Sequence, residues 1–247
     1  MSRSEEAGSS VVPSTGADTR PSSPPTPPPV GLIADIVASR GLEDRAAAQK
    51  TIHAAFAQAH EVVLPRESAW ATVGDEFQAV YLTWQDAVRA TLRLMVELPE
   101  GLRLRCGLGE GEISDVEPGA YGPIQEGQGW LHARAAVDEA AARQGRRDET
   151  VSWFSGTDPV RAAAVNAHLL LRDHIVFRMK ARERRLCAVL LAGGTQKQAA
   201  AQERISQSAV SQSLHRSGGA ALVELDRVLA ESGLESDPGT VPDSEPV

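Results

Sequence analysis

Two acidic residues stand where a carboxylate is conspicuous. Asp35 closes the apolar run Val30-Gly31-Leu32-Ile33-Ala34, and Asp75 sits in the polar turn Val73-Gly74-Asp75-Glu76-Phe77. If the end of the first strand lies beside the tip of the next hairpin, the two carboxylates can hold Mg²⁺ against the phosphates of a nucleotide. An N-cap aspartate and a turn aspartate are the plain alternative. A second group of residues offers different chemistry. Thr195-Gln196-Lys197-Gln198-Ala199-Ala200-Ala201 precedes Ile205-Ser206-Gln207-Ser208-Ala209-Val210-Ser211-Gln212-Ser213-Leu214-His215-Arg216. Gln207, Ser208, Ser211 and Gln212 recur at the spacing of one helix face. A glutamine amide can bond adenine through two hydrogen bonds, and a serine hydroxyl can bond a base edge or a phosphate.

The carboxylates need a scaffold, and residues from Val30 to about Phe154 alternate strand-like and helix-like runs. Ile52, Phe56, Ala59 and Val63 recur at helical spacing, which predicts an amphipathic helix over 42–63. Ala71-Thr72-Val73 and 77–82 flank Gly74-Asp75 as the arms of a hairpin. Thr83 can cap the next helix, whose buried face is Val88, Leu92 and Met95 and which stops at Pro99-Glu100-Gly101. Leu102, Leu104, Cys106 and Leu108 alternate with Arg103 and Arg105 as in a half-buried strand. A loop rich in Gly and Glu, a helix over 129–143 and a short strand over 150–154 follow. The order β-α-β-β-α-β-α-β predicts an α+β fold. Its sheet is antiparallel with helices on one face, the ferredoxin-like or palm arrangement.

From Asp158 onward no strand is evident. Asp158-Pro159 opens a helix, helical spacing continues to Leu191, and Gly193-Gly194 ends it. Thr195 can cap a first short helix and Ser206 a second. Small Ala199 and Ala200 let the two cross closely, and Ile205, Val210 and Leu214 bury the second against the first. The segment resembles the helix-turn-helix of many bacterial repressors and sigma-like regulators. That resemblance implies a DNA-binding unit at about 183–230. Its expected DNA contacts are Thr195, Gln196, Lys197, Ser206, Gln207, Ser208, Ser211, Gln212 and Arg216. The turn carries Glu203-Arg204 where such motifs usually have Gly; a non-Gly residue at positive φ costs ~1–2 kcal/mol. Arg172, Arg178, Lys180, Arg182, Arg184, Arg185, Lys197, Arg204 and Arg216 are opposed in their stretch only by Asp173, Glu183 and Glu203. This local excess suits phosphate contact, and a solvated helix face explains it equally. A helix over 218–230, with Leu222, Leu225 and Leu229, packs on the motif or dimerises it.

Ala34-Asp35-Ile36-Val37, Thr72-Val73-Gly74-Asp75 and Arg105-Cys106-Gly107-Leu108-Gly109-Glu110-Gly111-Glu112-Ile113 resemble successive motifs of class III nucleotidyl cyclases. Gly74-Asp75-Glu76-Phe77 resembles the turn of GGDEF diguanylate cyclases. The resemblance spans about residues 30–140. It implies Asp35 and Asp75 as metal carboxylates and Arg134, in His132-Ala133-Arg134-Ala135, as a phosphate-stabilising arginine. Ala71 stands at the position of a base-selecting lysine, Trp130 at that of the usual asparagine, and Val73 at the first Gly of the diguanylate pattern. Such groups position substrate, so their replacement argues against an efficient cyclase. The SatD family is similar over nearly all of 30–230. Its likeness rests on Asp35-Ile36-Val37-Ala38-Ser39-Arg40, then Asp44-Arg45, the Gly-Asp-Glu-Phe-Gln turn at 74–78, and the C-terminal helix-turn-helix. Ile36, Ser39 and Arg40, just after the first strand, join Arg134 as expected nucleotide contacts. A plain helix start remains open for Ser39 and Arg40.

The whole chain has 247 residues and a formal net charge of −8. The expected organisation is a disordered Ser/Pro-rich tail at 1–29, a palm domain at 30–157, a helical linker with helix-turn-helix at 158–231, and an acidic disordered tail at 232–247. Cys106 and Cys187 have no metal-ligand spacing and read as buried thiols in a reducing compartment. No apolar run approaches the ~20 residues of a membrane span, and no secretory h-region is present, so a cytoplasmic protein is expected. The combined expectation is a homodimeric DNA-binding regulator whose palm senses a nucleotide with Mg²⁺, coupled through the helical segment 158–191. A divergent nucleotidyl cyclase or nucleotidyltransferase with a DNA-binding tail is the alternative.

Overall fold

The computed structural model describes residues 27–42, 44–72, 75–119, 122–144 and 151–234. Most of the two expected tails (1–26 and 235–247) and the turn residues Val73 and Gly74 lie outside the described residues.

The apolar run that opens the domain is β1 (Val30–Ile36). It is central, as its burial on both faces requires. It lies between β3 (Glu76–Tyr81) and β4 (Leu104–Glu110), antiparallel to both. β2 (Glu67–Ala71) pairs with β3, β7 (Ser152–Ser155) lies parallel to β4, and the strand order is β2-β3-β1-β4-β7. The sheet is therefore mixed, where an antiparallel one was expected. The reason is the crossover helix α3 (Gln128–Gln144), which returns the chain so that β7 runs in the direction of β4. The segment expected as a loop contains an antiparallel hairpin, β5 (Ser114–Pro118) with β6 (Pro123–Glu126). Its strands carry no alternating apolar signal because most of their side chains are exposed on both faces.

Helices cover both faces of the sheet instead of one. On the first face Leu32, Ala34, Ile36, Phe77 and Cys106 meet α1 (Arg45–His60) and α2 (Trp84–Glu97) through Ile52, Phe56 and Val88. On the second, Ile33 packs on Ala133 and Val137 of α3. Gly107 and Gly109 make that approach possible. A Cβ at Gly107 would stand 2.3 Å from the Ala133 carbonyl oxygen, and one at Gly109 2.1 Å from the Ala133 nitrogen.

α4 (Pro159–Arg178) starts at the Asp158 cap and runs along β7. Asn166 brackets the backbone of Phe154, accepting from its N–H and donating to its carbonyl, both at 2.8 Å. Asp173 accepts from the amides of Val151 and Ser152 at 3.2 and 2.8 Å. These side chains occupy edge positions that another strand would otherwise fill. Beside them Arg172, fully buried, donates to Asp173, Thr91, Ser152 and the Val88 carbonyl.

The helix expected to reach Leu191 is two helices. Met179 takes an extended conformation and is buried, and α5 (Ala181–Leu191) starts after Lys180. Then come α6 (Gln196–Glu203), α7 (Gln207–Ser217) and α8 (Gly219–Leu234). α8 runs into 232–234, where the acidic tail was expected to begin; Arg227 pairs with Glu224 and Glu231 one turn to either side. The helical unit shares α2 with the sheet. Leu94 faces the first core, while Leu92 and Val96 pack with Leu186, Val210 and Leu214 in a second. Arg93 on α2, 4% exposed, donates to both carboxylate oxygens of Asp226 on α8 and to the Leu191 carbonyl. Packing between the two units thus runs largely through α2, in addition to the segment 158–191. Cys106 and Cys187 are free and buried, and burial raises each thiol to about 12. Among the described residues no helix is long and apolar enough to cross a membrane.

Candidate nucleic-acid interface and sheet-end carboxylates

α6 and α7 are two short helices joined by a turn at 204–206. At the start of α6 the Thr195 hydroxyl accepts from the Gln198 amide at 3.2 Å, and the Gln198 side chain accepts from the Thr195 amide at 2.7 Å. This reciprocal cap satisfies two amides that a helix start leaves open. Arg204 ends α6 in the left-handed region, with φ 54° and ψ 46°. Its amide bonds the Ala201 carbonyl and the Ile205 amide bonds the Ala200 carbonyl, at 3.4 and 3.0 Å. Those two bonds form a Schellman ending, which offsets the cost of a left-handed arginine. Ser206 then caps α7, accepting from the Ala209 amide at 3.2 Å.

Ala199 and Ala200 of α6 and Val210 and Leu214 of α7 are buried together. The opposite side of α7 carries Gln207, Ser208 and Gln212, all exposed, with half-exposed Ser211. The side chains of Gln207, Ser211 and Gln212 have no hydrogen-bond partner among the described residues. Ser208 bonds Ser206 at 2.9 Å. Lys197 and Arg216 are exposed, and Gln196 is half-buried. Of the expected contacts, Thr195 and Ser206 are therefore engaged as caps, while the others face outward or flank that face.

The basic stretch divides. Arg172 belongs to the core with Asp173. Arg184 is half-buried. Arg185 holds Glu203 through two bonds of 2.7 and 2.8 Å, with Arg182 at 3.6 Å from the same carboxylate. The exposed cations of the stretch with no ion pair among the described residues are Arg178, Lys180, Lys197, Arg204 and Arg216. Three of these five lie on or beside α6 and α7.

At the end of the sheet, register brings the acidic residues together. Asp35 stands directly opposite Glu76 on β3 and opposite Arg105 on β4. Arg105 donates to both Asp35 oxygens, at 2.9 and 3.2 Å, and to the Gln144 side chain. Burial raises the Asp35 pKa, Arg105 opposes the rise, and the charges of Asp75 and Glu76 add to it. Arg134, exposed on α3, donates to Glu76 at 2.7 Å. Trp130 lies over Gly31, its ring edge-to-face with Trp70 at 6.1 Å between centroids. Ile36 points into the first core, away from the carboxylates. Ala38 adopts a left-handed conformation, φ 57°, before a one-turn 3-10 helix at Ser39–Gly41; Ser39 is half-buried, and the Arg40 side chain lies outside the described residues. Glu76, Arg105 and Gln144 are cluster members that sequence reasoning missed. The alternation around Arg105 marked its side of the strand as polar, and only the register assigns Asp35 as its partner.

Among the described residues no group of three or more His, Cys, Asp or Glu side chains is arranged to hold a metal ion. Neither a protein-family model nor a curated protein matches the chain.

Proposed function

We propose that this protein is a DNA-binding transcriptional regulator. The observation that carries the reading is the outer face of α7, with unpaired Gln207, Ser211 and Gln212 flanked by exposed Lys197, Arg204 and Arg216. In this reading α6, the turn and α7 are a helix-turn-helix with α7 as the helix that enters the major groove. Gln207 and Gln212 bond adenine, Ser211 bonds a base edge, and the three cations meet phosphates. The Thr195 and Ser206 caps set the two helix starts, near which Gln196 and Ser208 reach the backbone. A single such motif contacts little DNA, so a homodimer is part of the proposal. Exposed Val160 and Leu171, three turns apart on one face of α4, offer apolar contacts for it.

The sheet is read as a ferredoxin-like palm of the SatD type. The strand order β2-β3-β1-β4, with α1 and α2 on one face, supports this. The palm senses a nucleotide carried with Mg²⁺. Asp35 and Asp75 share the ion, since Mg²⁺ needs only one or two carboxylates when phosphates supply the rest. Asp75 and Glu76 add negative charge beside Asp35, which favours a cation there, and Arg105, now bonded to both Asp35 oxygens, would yield one of them to the ion. The left-handed Ala38 before a helical turn suits a backbone anion cradle at Ser39 and Arg40. Arg134, exposed and held only by Glu76 among the described residues, can turn to a phosphate. Trp130 over Gly31 and Ala71 on β2 favour binding over turnover, since neither can position a reacting base or sugar as lysine and asparagine would.

The test is binding to promoter fragments from the protein's own locus at fixed salt, with and without ATP, GTP, cyclic nucleotides and Mg²⁺. Specific binding that shifts with one nucleotide, and loses the shift in Asp35→Ala or Asp75→Ala, is the expected result. Absence of specific binding overturns the DNA reading. Specific binding indifferent to every nucleotide overturns the sensing reading alone.

A further inference from the structure

Away from both sites, a cleft of about 490 Å³ opens where α1, α2, α5 and α6 meet. Gln58, Glu97, Ala188 and Ala192 line it and also line an adjoining cavity of about 140 Å³. The combined space is in the range of small-molecule sites.

Its electrostatics are one-sided. Gln58, Glu97 and Ala188 belong to the last turns of α1, α2 and α5. Three helix C-termini therefore converge, each carrying roughly half a negative charge. The Glu97 carboxylate adds a full one. It is half-buried and has no ion-pair partner among the described residues, and desolvation raises its pKa. Glu61, at the end of α1, adds another. The two arginines on the walls are already engaged, Arg185 by Glu203 and Arg93 by Asp226. Between these charges the surface is apolar at Val62, Val96, Ala188 and Val189. Gln198 and Gln202 of α6 face the same space.

We propose that this cleft binds a small aliphatic amine, its ammonium on Glu97 and its methylene stem along Val96 and Ala188. A hard metal ion is the poorer occupant, because it needs several converging oxygens and no such group is present among the described residues. A neutral molecule would leave the carboxylate as uncompensated as it is now. The occupant touches α2 and α5 together, at the inner side of the cleft whose outer wall is Gln198 and Gln202 of α6.

The experiment is calorimetric titration of the full chain with 1,4-diaminobutane at fixed ionic strength, with 1,4-butanediol as the uncharged counterpart. Saturable one-to-one binding of the diamine and none of the diol is expected. Glu97→Gln should weaken the diamine at least tenfold. Ala192→Phe, which fills the cleft from α5, should block it independently of α2. No saturable heat with the diamine, equal binding of the diol, or wild-type affinity in both variants overturns the proposal. The titration contains neither DNA nor nucleotide, so its failure is separate from failure of either reading above.

Discussion

The seam between α4 and β7 and the outer face of α7 are both lined with polar side chains, and they differ in where the partners are. In the seam Arg172, Asp173 and Asn166 bond one another's neighbours and the β7 backbone inside the protein. On α7, Gln207, Ser211 and Gln212 face water with no internal partner among the described residues. A buried network of this kind holds one geometry, since any departure leaves desolvated groups unpaired. Exposed amides carry no such penalty and stay available to a ligand. Arg172 and Arg216 belong to one basic stretch of sequence, yet one is a core strut and the other a surface cation. Charge density along the chain does not by itself assign charges to a surface.

The sharpest way to break this comparison is Arg172→Ala. It leaves Asp173 buried without its counter-charge, and should lower stability by ~3–5 kcal/mol in urea unfolding. A loss below ~1 kcal/mol would mean that the seam tolerates an unpaired carboxylate and is no different from a surface. Gln212→Ala addresses the other side. It should weaken specific DNA binding by ~1–3 kcal/mol while leaving stability within ~0.5 kcal/mol. A stability loss with unchanged DNA affinity would make the α7 face structural. The smallest effect concerns His168, the seam group whose ring Nε2 is buried without a partner. Desolvation, with the charge of Arg172, lowers its pKa from 6.5 to about 4. The unfolded chain therefore binds that proton more readily than the folded one. Its contribution is whole above pH 6.5 and declines as pH falls towards 4. The ring is partly exposed, so the slope is modest. His168→Leu should flatten the stability profile over that interval, and an unchanged profile would remove His168 from the seam's pH response.

Much of the local structure was legible beforehand. Thr83, Asp158, Thr195 and Ser206 each cap the helix that follows, and hydroxyl or carboxylate caps announce themselves because their bonds span two or three residues. The turn after α6 was legible too, down to the pair Glu203-Arg204, of which Arg204 takes the positive φ. The sheet-end cluster was legible only as two acids. Its arginine, Arg105, is 70 residues from Asp35, and nothing in either neighbourhood specifies the pairing. The seat of α3 was hidden for a different reason. Gly107 and Gly109 read as part of a Gly-rich run, and their role is visible only once α3 lies against them. The break at Met179-Lys180 was also concealed, since apolar residues continue at helical spacing across it.

Periodicity, caps and turn chemistry are short-range, and they determined from sequence alone that strands alternate with helices up to about residue 154, that among the described residues only helices follow, and where most helices begin. Strand register, the helix on the second sheet face and the sharing of α2 by two cores depend on contacts between distant segments. The Arg93–Asp226 bond spans 133 residues, and its partners meet only because Leu92 and Val96 pack against α5 and α8. Burial of that apolar surface, which no local pattern encodes, decided which polar groups were closed inside and which were left facing outward.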